Sequence, residues 1–238
     1  MFVPIALLTF VASFIGTIAG FGSSTIMLPV VILMFPLPEA LLLVGIVHFF
    51  NDIWEVILFR GKPHWRTLII FGGTGVVAGL LGADLAITVS QDILSRALGA
   101  LLIALVVIFT VDKKLKIPHT DGMFAVGGSL SGFLAGIFGI GGPVRSLFLS
   151  GFKLTKKEYI FTIGAVSFLV DAARISAYMI GGARLPEGLF LGTILLIPIS
   201  LFAAEIAKVV VDKIPQKAFQ YIISLFLLIA GTKFLLFP

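Results

Sequence analysis

The 238-residue chain is 59% apolar and only 12% charged, which is about half the charged fraction that a soluble domain of this size needs. It contains no cysteine, which excludes disulfides, thiolate metal sites and cysteine nucleophiles. Its net charge of +5 comes from basic residues in short loops. That placement indicates membrane topology and not nucleic-acid binding.

Eight apolar regions follow one another along the chain, separated by charges or by proline and glycine breaks. Six have the length of one transmembrane helix: residues 39–59, 66–84, 92–111, 157–180, 187–208 and 217–236. The other two, residues 2–35 and 121–151, are longer, and a glycine-rich stretch interrupts each. Each long region therefore either crosses once as a bent helix or enters and returns as a helical hairpin.

The distribution of basic residues decides between these two topologies. Hairpins place twelve of the fourteen loop Lys and Arg residues on one side, whereas single crossings leave them almost evenly divided; the clusters are Arg60/Lys62/Arg66, Lys113/Lys114/Lys116, Lys153/Lys156/Lys157 and Lys208/Lys213/Lys217. Because basic loops stay in the cytoplasm, hairpins are favoured and both termini are predicted to be external. Full-length hairpin arms stay open as an alternative, although the second arms look too short to span.

The sequence thus predicts an all-α polytopic membrane protein with two inverted-topology repeats, each a broken helical hairpin followed by three transmembrane helices. The first repeat covers residues 1–116 and the second residues 117–238. Two internal matches support the duplication. A G-x-x-A-G pattern occurs at Gly16–Gly20 and again at Gly132–Gly136, and a longer alignment pairs Asp52 with Asp171.

The glycine breaks GFGSST (20–25) and GIGG (139–142) are predicted to form the hairpin tips near the membrane midplane. One half-helix would start at Ser23–Thr25, with the hydroxyls as caps, and another at Gly141–Pro143. Two converging helix N-termini would make an anion site. The alternative is that the glycines only permit close helix packing, and we favour that alternative for a third glycine-rich stretch, Gly72–Gly82.

Charged residues inside the spans complete the predicted site, because such residues usually face a cavity. We expect Arg174, aided by Arg145, to neutralise the anion, and Asp52 and Asp171 to carry protons. The predicted substrate-binding residues are Gly22, Ser23, Ser24, Thr25, Gly139, Gly141, Gly142, Arg145 and Arg174, and the predicted coupling residues are Asn51, Asp52 and Asp171. No metal or cofactor is predicted.

Some charged or polar residues of the spans also have purely structural interpretations. Asp171 and Arg174 lie one helical turn apart and would also form a purely structural ion pair. Glu55, nearer the cytoplasmic interface, is expected to extend towards water. His48, alone on an apolar span, is expected to be an ordinary buried hydrogen-bonding residue away from the glycine tips.

The two tip motifs resemble those of the sulfite exporter TauE/SafE family. GFGSSTIMLP (Gly20–Pro29) is similar to its first motif and GIFGIGGPVRS (Gly136–Ser146) to its second, and the layout matches over essentially the whole chain. The chain departs from the family pattern at Ser23, Ser24 and Thr25, where glycine is usual, and at Ser146, where the family has proline. The resemblance implies secondary transport, usually outward, of sulfur-containing anions such as sulfite or sulfonates.

The predicted function is secondary transport of a small anion across the plasma (inner) membrane. The candidate substrates are the sulfur-containing anions that the resemblance implies. Alternating access would come from rocking one repeat against the other, with proton coupling. An anion channel and a membrane-embedded lipid-pyrophosphate phosphatase are the alternatives. No enzymatic activity is predicted, because the carboxylates are few, no histidine is expected near a glycine tip and no metal-ligand spacing occurs. The expected partners are the anion and membrane lipid, without nucleic acid, and a homodimer stays open.

Overall fold

The computed structural model describes residues 2–61, 64–111, 117–118, 120–149, 154–211 and 216–237, without the side chains of 108–111, 216–223 and 226. Every regular element in this part of the chain is helical. Six helices are long and apolar enough to cross a membrane by length and composition: Phe2–Ala19, Leu37–Phe59, Trp65–Thr88, Asp121–Phe138, Lys156–Ile180 and Phe190–Val210. The prediction of an all-helical polytopic membrane protein is confirmed.

The helices follow the predicted regions closely. The first half contains α1 (Phe2–Ala19), α2 (Ser24–Val31), α3 (Leu37–Phe59), α4 (Trp65–Thr67), a π-helical turn (Leu68–Gly72), α5 (Gly73–Thr88) and α6 (Gln91–Val111). The second contains α7 (Asp121–Phe138), α8 (Gly142–Leu149), α9 (Lys156–Ile180), α10 (Phe190–Val210) and α11 (Gln216–Leu236). The predicted boundary at residue 116 lies outside the described residues, as do Lys62, Lys113, Lys114, Lys116, Lys153 and Lys213.

Local sequence signals set several helix ends. Pro38 lies in the first turn of α3, where its fixed φ suits a helix and its missing N–H costs no hydrogen bond. Thr155 and Glu158 form a reciprocal capping box at the start of α9, so two otherwise unpaired backbone N–H groups find acceptors. Thr120 caps α7 by accepting from the backbone N–H of Met123 at 3.3 Å.

Both long apolar regions double back on themselves. On the first, the Thr9 hydroxyl lies 3.9 Å from the Met27 sulfur, and a β-carbon added to Gly16 would lie 2.8 Å from Ser23 Cα. On the second, a β-carbon added to Gly127, early in α7, would collide with the Phe148 ring, late in α8. Since the later residue of each contact lies beside an earlier turn of the same region, α1–α2 and α7–α8 are antiparallel hairpins with a long and a short arm.

The central helices α3 and α9 also pack antiparallel. A β-carbon on Gly45 would lie 3.4 Å from Arg174 Nη1, and one on Gly164 would lie 3.0 Å from Glu55 Cβ. The early residue of each helix thus faces the late residue of the other. The two glycines remove the side chains that would separate the helices, so the charged residues of α3 and α9 come within reach of one another.

Helices α6 and α11 show the same antiparallel relation. Arg96 donates to the Leu235 carbonyl at 3.2 Å. A β-carbon on Gly231 would lie 2.9 Å from Ile103 Cγ1. Early residues of α6 therefore contact late residues of α11, and later residues of α6 contact earlier residues of α11.

The glycine-rich stretch of α5 packs against α7, which confirms the packing interpretation of Gly72–Gly82. A β-carbon on Gly75 would lie 3.2 Å from the Gly128 carbonyl, and one on Gly79 would lie 3.3 Å from the Gly132 carbonyl. Both contacts advance in the same direction, so the two helices are parallel. We call this contact the glycine seam.

The contact between α1 and α10 is also parallel, but it is built from side chains. The Phe10 and Phe202 rings lie 6.1 Å apart between centroids, and Phe2 packs over Gly192. Elsewhere the outward faces are apolar, as Leu7 (63% exposed), Ile69 (69%) and Val77 (62%) illustrate. An apolar exterior around a polar interior is the arrangement expected in lipid.

Candidate functional site

The two helix breaks are sharp turns made possible by glycine. Gly20 (φ +69°) and Gly22 (φ +78°) make the first tip, residues 20–23, and Gly139 (φ +66°) begins the second tip, residues 139–141. Only glycine adopts these φ values without strain. Gly139 ends α7 with its N–H donating to the Ala135 carbonyl at 2.8 Å, a left-handed helix terminus of the kind glycine favours.

The tips of the two hairpins touch. The Ser146 hydroxyl of α8 donates to the Gly20 carbonyl, and a β-carbon on Gly142 would collide with the Phe21 carbonyl. The predicted site residue Gly142 therefore lies at the junction of the tips. The starts of α2 and α8, each with first-turn N–H groups that lack a helical acceptor, are brought together by this contact.

The hydroxyls of the first tip are arranged differently from the prediction. Ser23 precedes α2, yet its side chain makes no capping bond, and its Oγ is buried without a partner among the described residues. Thr25 donates backwards to the Phe21 carbonyl at 2.9 Å and so supports the turn. The expectation that these hydroxyls cap α2 is wrong. Ser24, the first residue of α2, is buried beside them.

Two buried arginines accompany the second tip, one beside it and one in the helix that follows. A β-carbon on Gly139 would lie 3.5 Å from Arg174 Nη1, so the bare backbone lets the guanidinium approach. Arg145, in the first turns of α8, donates from Nη1 to the Ser167 hydroxyl of α9. Each arginine is only 1% exposed. Each also keeps one nitrogen, Arg145 Nε and Arg174 Nη1, without a hydrogen-bond partner among the described residues.

A chain of charged groups links Arg174 to α3. Arg174 Nε donates to Asp171 Oδ1 at 2.7 Å, so the expected ion pair exists. The other oxygen of Asp171 lies 2.6 Å from His48 Nδ1. The same His48 nitrogen lies 3.2 Å from Asp52 Oδ2. The predicted residues Asp52, Asp171 and Arg174 are therefore connected through a histidine that was not assigned to the site.

The predicted position of His48 is wrong. A β-carbon on Gly22 would overlap its Nε2 atom, so the ring lies directly against the first tip, contrary to the expectation. A signal was available in the sequence. His48, Asp52 and Glu55 recur at four- and three-residue spacing, which places them on one face of a helix, and a polar stripe on an otherwise apolar span indicates a shared interior surface.

Glu55 is also placed differently from the expectation. It is 3% exposed and does not extend towards the interface. Its Oε1 accepts from the Thr17 hydroxyl of α1 at 2.9 Å and from Asn51 Nδ2 at 3.0 Å. The predicted coupling residue Asn51 therefore holds Glu55, and this carboxyl group is fixed beside the last turns of α1.

The donor atoms of His48, Asp52 and Asp171 lie within 4.8 Å of one another, close enough to hold a metal ion. The chemistry of the surroundings does not favour a cation there, because Arg174 already engages Asp171 and the His48 nitrogen already bridges the two carboxylates. We therefore assign no metal to these three residues.

The comparison with protein families identifies the group to which this arrangement belongs. A family model described as "Sulfite exporter TauE/SafE" matches residues 5–234. The chain belongs to the sulfite exporter TauE/SafE family. This membership makes it a membrane protein of an anion-transporter family. The matched residues include both hairpins and all the buried charges of the described residues. No curated protein sequence matches the chain.

Family membership bears on the alternatives. The nearness of His48 to a glycine tip removes one argument against a phosphatase, but the family is one of transporters. The structure brings all twelve predicted site residues into the buried interior. Their individual roles stay predictions.

Proposed function

We propose that the protein is a secondary transporter that carries a small sulfur-containing anion, sulfite or a sulfonate, across the plasma membrane. The observation that carries the proposal is the set of buried polar groups without partners around the touching tips. Four of these groups have a nitrogen or hydroxyl atom that can donate a hydrogen bond: Ser23 Oγ, His48 Nε2, Arg145 Nε and Arg174 Nη1.

Such groups are costly in a protein interior, since an unpaired buried donor loses its hydrogen bonds to water at about 1–3 kcal/mol, and charged donors lose more. An anion with several oxygens can accept from many directions at once. Sulfite and sulfonate groups have three oxygens each, which suits donors that approach from different helices. The helix starts of α2 and α8 add partial positive charge at the same place.

The direction of the helices supports an inverted repeat. Counting the hairpin and three spans of each half, α3 corresponds to α9 and α6 to α11, and both pairs are antiparallel. Equivalent helices that run in opposite directions are what an inverted duplication produces. If each long region crossed once, α3 and α9 would be parallel. With hairpins and three spans in each half, both termini would be external, as the basic residues also indicate.

Alternating access around the tips, with proton coupling through buried carboxyl groups, completes the proposal. Asp52 and Asp171 are the predicted carriers, and Asn51 is their predicted neighbour. The competing interpretation is an anion channel, which needs no coupling residue. Dissipative flux that survives the loss of both aspartates would favour the channel.

The test is uptake of labelled sulfite, with competing sulfonates, into proteoliposomes containing the purified protein. We expect Arg174→Ala to reduce uptake at least about 100-fold, because a charge-assisted hydrogen bond contributes about 1.5–3 kcal/mol and Asp171 also loses its cation. The exposed loop residue Arg184 supplies the matched control, and Arg184→Ala should transport normally. Absence of sulfite and sulfonate flux in the wild-type protein would refute the proposal.

A further inference from the structure

The carboxyl group of Glu55 is set apart from the other buried carboxyl groups by its partners. Asp171 contacts both Arg174 and His48, and Asp52 lies 3.2 Å from His48. Glu55 receives hydrogen bonds from neutral groups, Thr17 and Asn51. No Lys, Arg or His among the described residues lies within ion-pair distance of it.

The total charge of the interior makes this difference important. Among the described residues the buried charged side chains are two arginines, three carboxylates and one histidine: Arg145, Arg174, Asp52, Asp171, Glu55 and His48. His48 lies between two carboxylates, a position that favours its protonated form, and with the histidine protonated the positive and negative charges balance. An incoming monovalent anion would then add an uncompensated negative charge, in a place where unpaired charge is strongly disfavoured.

A proton on Glu55, the carboxyl group that lacks a cation, would offset this added negative charge. Both atoms that face Glu55 Oε1, the Thr17 hydroxyl and the Asn51 amide, donate. Hydrogen bonds donated to one oxygen of a carboxylate favour its ionised form, so Oε1 is held ionised and Oε2 is the oxygen that can take a proton. Oε2 lies against Gly164, where an added β-carbon would come within 3.3 Å of it. The charged or titratable groups nearest on the surrounding helices are Asp52 and His48 of α3 and Arg145 of α8.

We infer that Glu55, positioned by Thr17 and Asn51, binds the coupled proton, and that this proton crosses with the anion in the same direction. The inference rests on the proposed anion transport and assigns the coupling to Glu55 in place of Asp52 and Asp171. Thr17 lies in the last turn of α1, directly before the first tip. The carboxyl group is thus linked by one hydrogen bond to the segment that carries the anion site.

The experiment compares wild-type protein with Glu55→Gln in liposomes, with equal mildly acidic pH on both sides, where sulfite carries mainly one negative charge. Exchange of labelled for unlabelled sulfite measures binding and movement without net flux. An inside-positive potential set with potassium and valinomycin then tests whether charge moves. An internal pH indicator counts protons at matched sulfite flux, so that the protonation of sulfite itself cancels in the comparison.

We expect wild-type protein to move sulfite and a proton together, without net charge and without response to the potential. Glu55→Gln is permanently neutral, so it should still exchange sulfite but accumulate it about tenfold at about 60 mV, inside positive. It should also carry one proton fewer per anion. Asp52→Asn should be slower but stay insensitive to the potential, and the exposed Glu205→Gln on α10 should behave as wild type.

Two outcomes separate the inference from the proposal beneath it. If wild-type protein moves no anion, the proposed function fails. If wild-type flux is coupled and Glu55→Gln stays coupled, or exchanges no sulfite, the inference on Glu55 is overturned while the transport function stands. Flux that needs Na⁺ in place of protons also overturns it. Thr17→Val, which leaves the carboxyl group intact, should show partial sensitivity to the potential and covers the case in which Glu55→Gln does not fold.

Discussion

The two hairpins share a backbone design but present different chemistry. Each has a long arm, a glycine turn with positive φ at Gly20 or Gly139, and an eight-residue return helix. The first tip offers the hydroxyl of Ser23 and lies against His48, whereas the second has bare glycine with Arg174 beside it and Arg145 in the helix that follows. The comparison teaches that the turn is the constant part of the hairpin, and that side chains around it supply hydroxyls on one side and charge on the other.

The largest effect should come from the junction of the tips. Gly142→Ala puts a methyl group into the Phe21 carbonyl, where neither backbone can yield. We expect a loss of more than about 3 kcal/mol of stability, above the usual range for overpacking, and strongly reduced yield of monodisperse protein by size-exclusion chromatography.

The matched control for the junction is Gly73→Ala. A β-carbon at Gly73 would meet nothing within 4 Å, and alanine is a better helix former than glycine. This variant should express as well as the wild type. Equal yields of Gly142→Ala and Gly73→Ala would show that the tips do not meet as described.

A smaller effect should distinguish the hydroxyls of the first tip. Ser23→Ala removes a donor that has no partner within the described protein, so we expect about five- to tenfold weaker sulfite affinity, from the loss of about 1 kcal/mol, and unchanged thermal stability. Thr25→Val removes a bond to the Phe21 carbonyl and should lower the melting temperature. Competition binding and thermal unfolding in detergent measure the two quantities. Unchanged sulfite affinity in Ser23→Ala would contradict a binding role for the first tip's hydroxyl.

The smallest effect concerns the helices that follow the hairpins. Helix α9 begins with a capping box at Thr155, whereas α3 begins without a side-chain cap. Thr155→Ala should cost about 1 kcal/mol of stability, seen as a decrease of a few degrees in melting temperature. Sulfite affinity should not change, since Thr155 is exposed and lies outside the site. Altered affinity would show that the start of α9 contributes to the site.

Sequence alone predicted the helices and the breaks because their signals are local. Runs of apolar residues give the spans, and a glycine that must take a positive φ marks each turn. The correspondence between the two tip motifs was only partly predicted. The G-x-x-A-G match aligns Gly16 with Gly132, yet Gly16 packs on its own tip while Gly132 lies in the glycine seam. The structure instead places Gly20 and Gly139 at equivalent helix ends, in register with Asp52 and Asp171.

The site was predicted less completely because its partners come from different helices. Arg145 and Arg174 could be selected as buried charges, but the position of His48 between Asp52 and Asp171 depends on how α3 and α9 cross. The burial of Glu55 likewise depends on Thr17, thirty-eight residues earlier in the chain. The π-helical turn Leu68–Gly72 was not predicted from the sequence.

The glycine seam has a mechanical consequence. Helix α5 comes from the first half of the chain and α7 from the second, and their backbones touch without intervening side chains. A motion that separated the two halves as blocks would have to tear this contact apart. Any motion that preserves the glycine seam must carry α5 and the long arm of the second hairpin together. Such a moving unit therefore contains helices from both halves of the sequence.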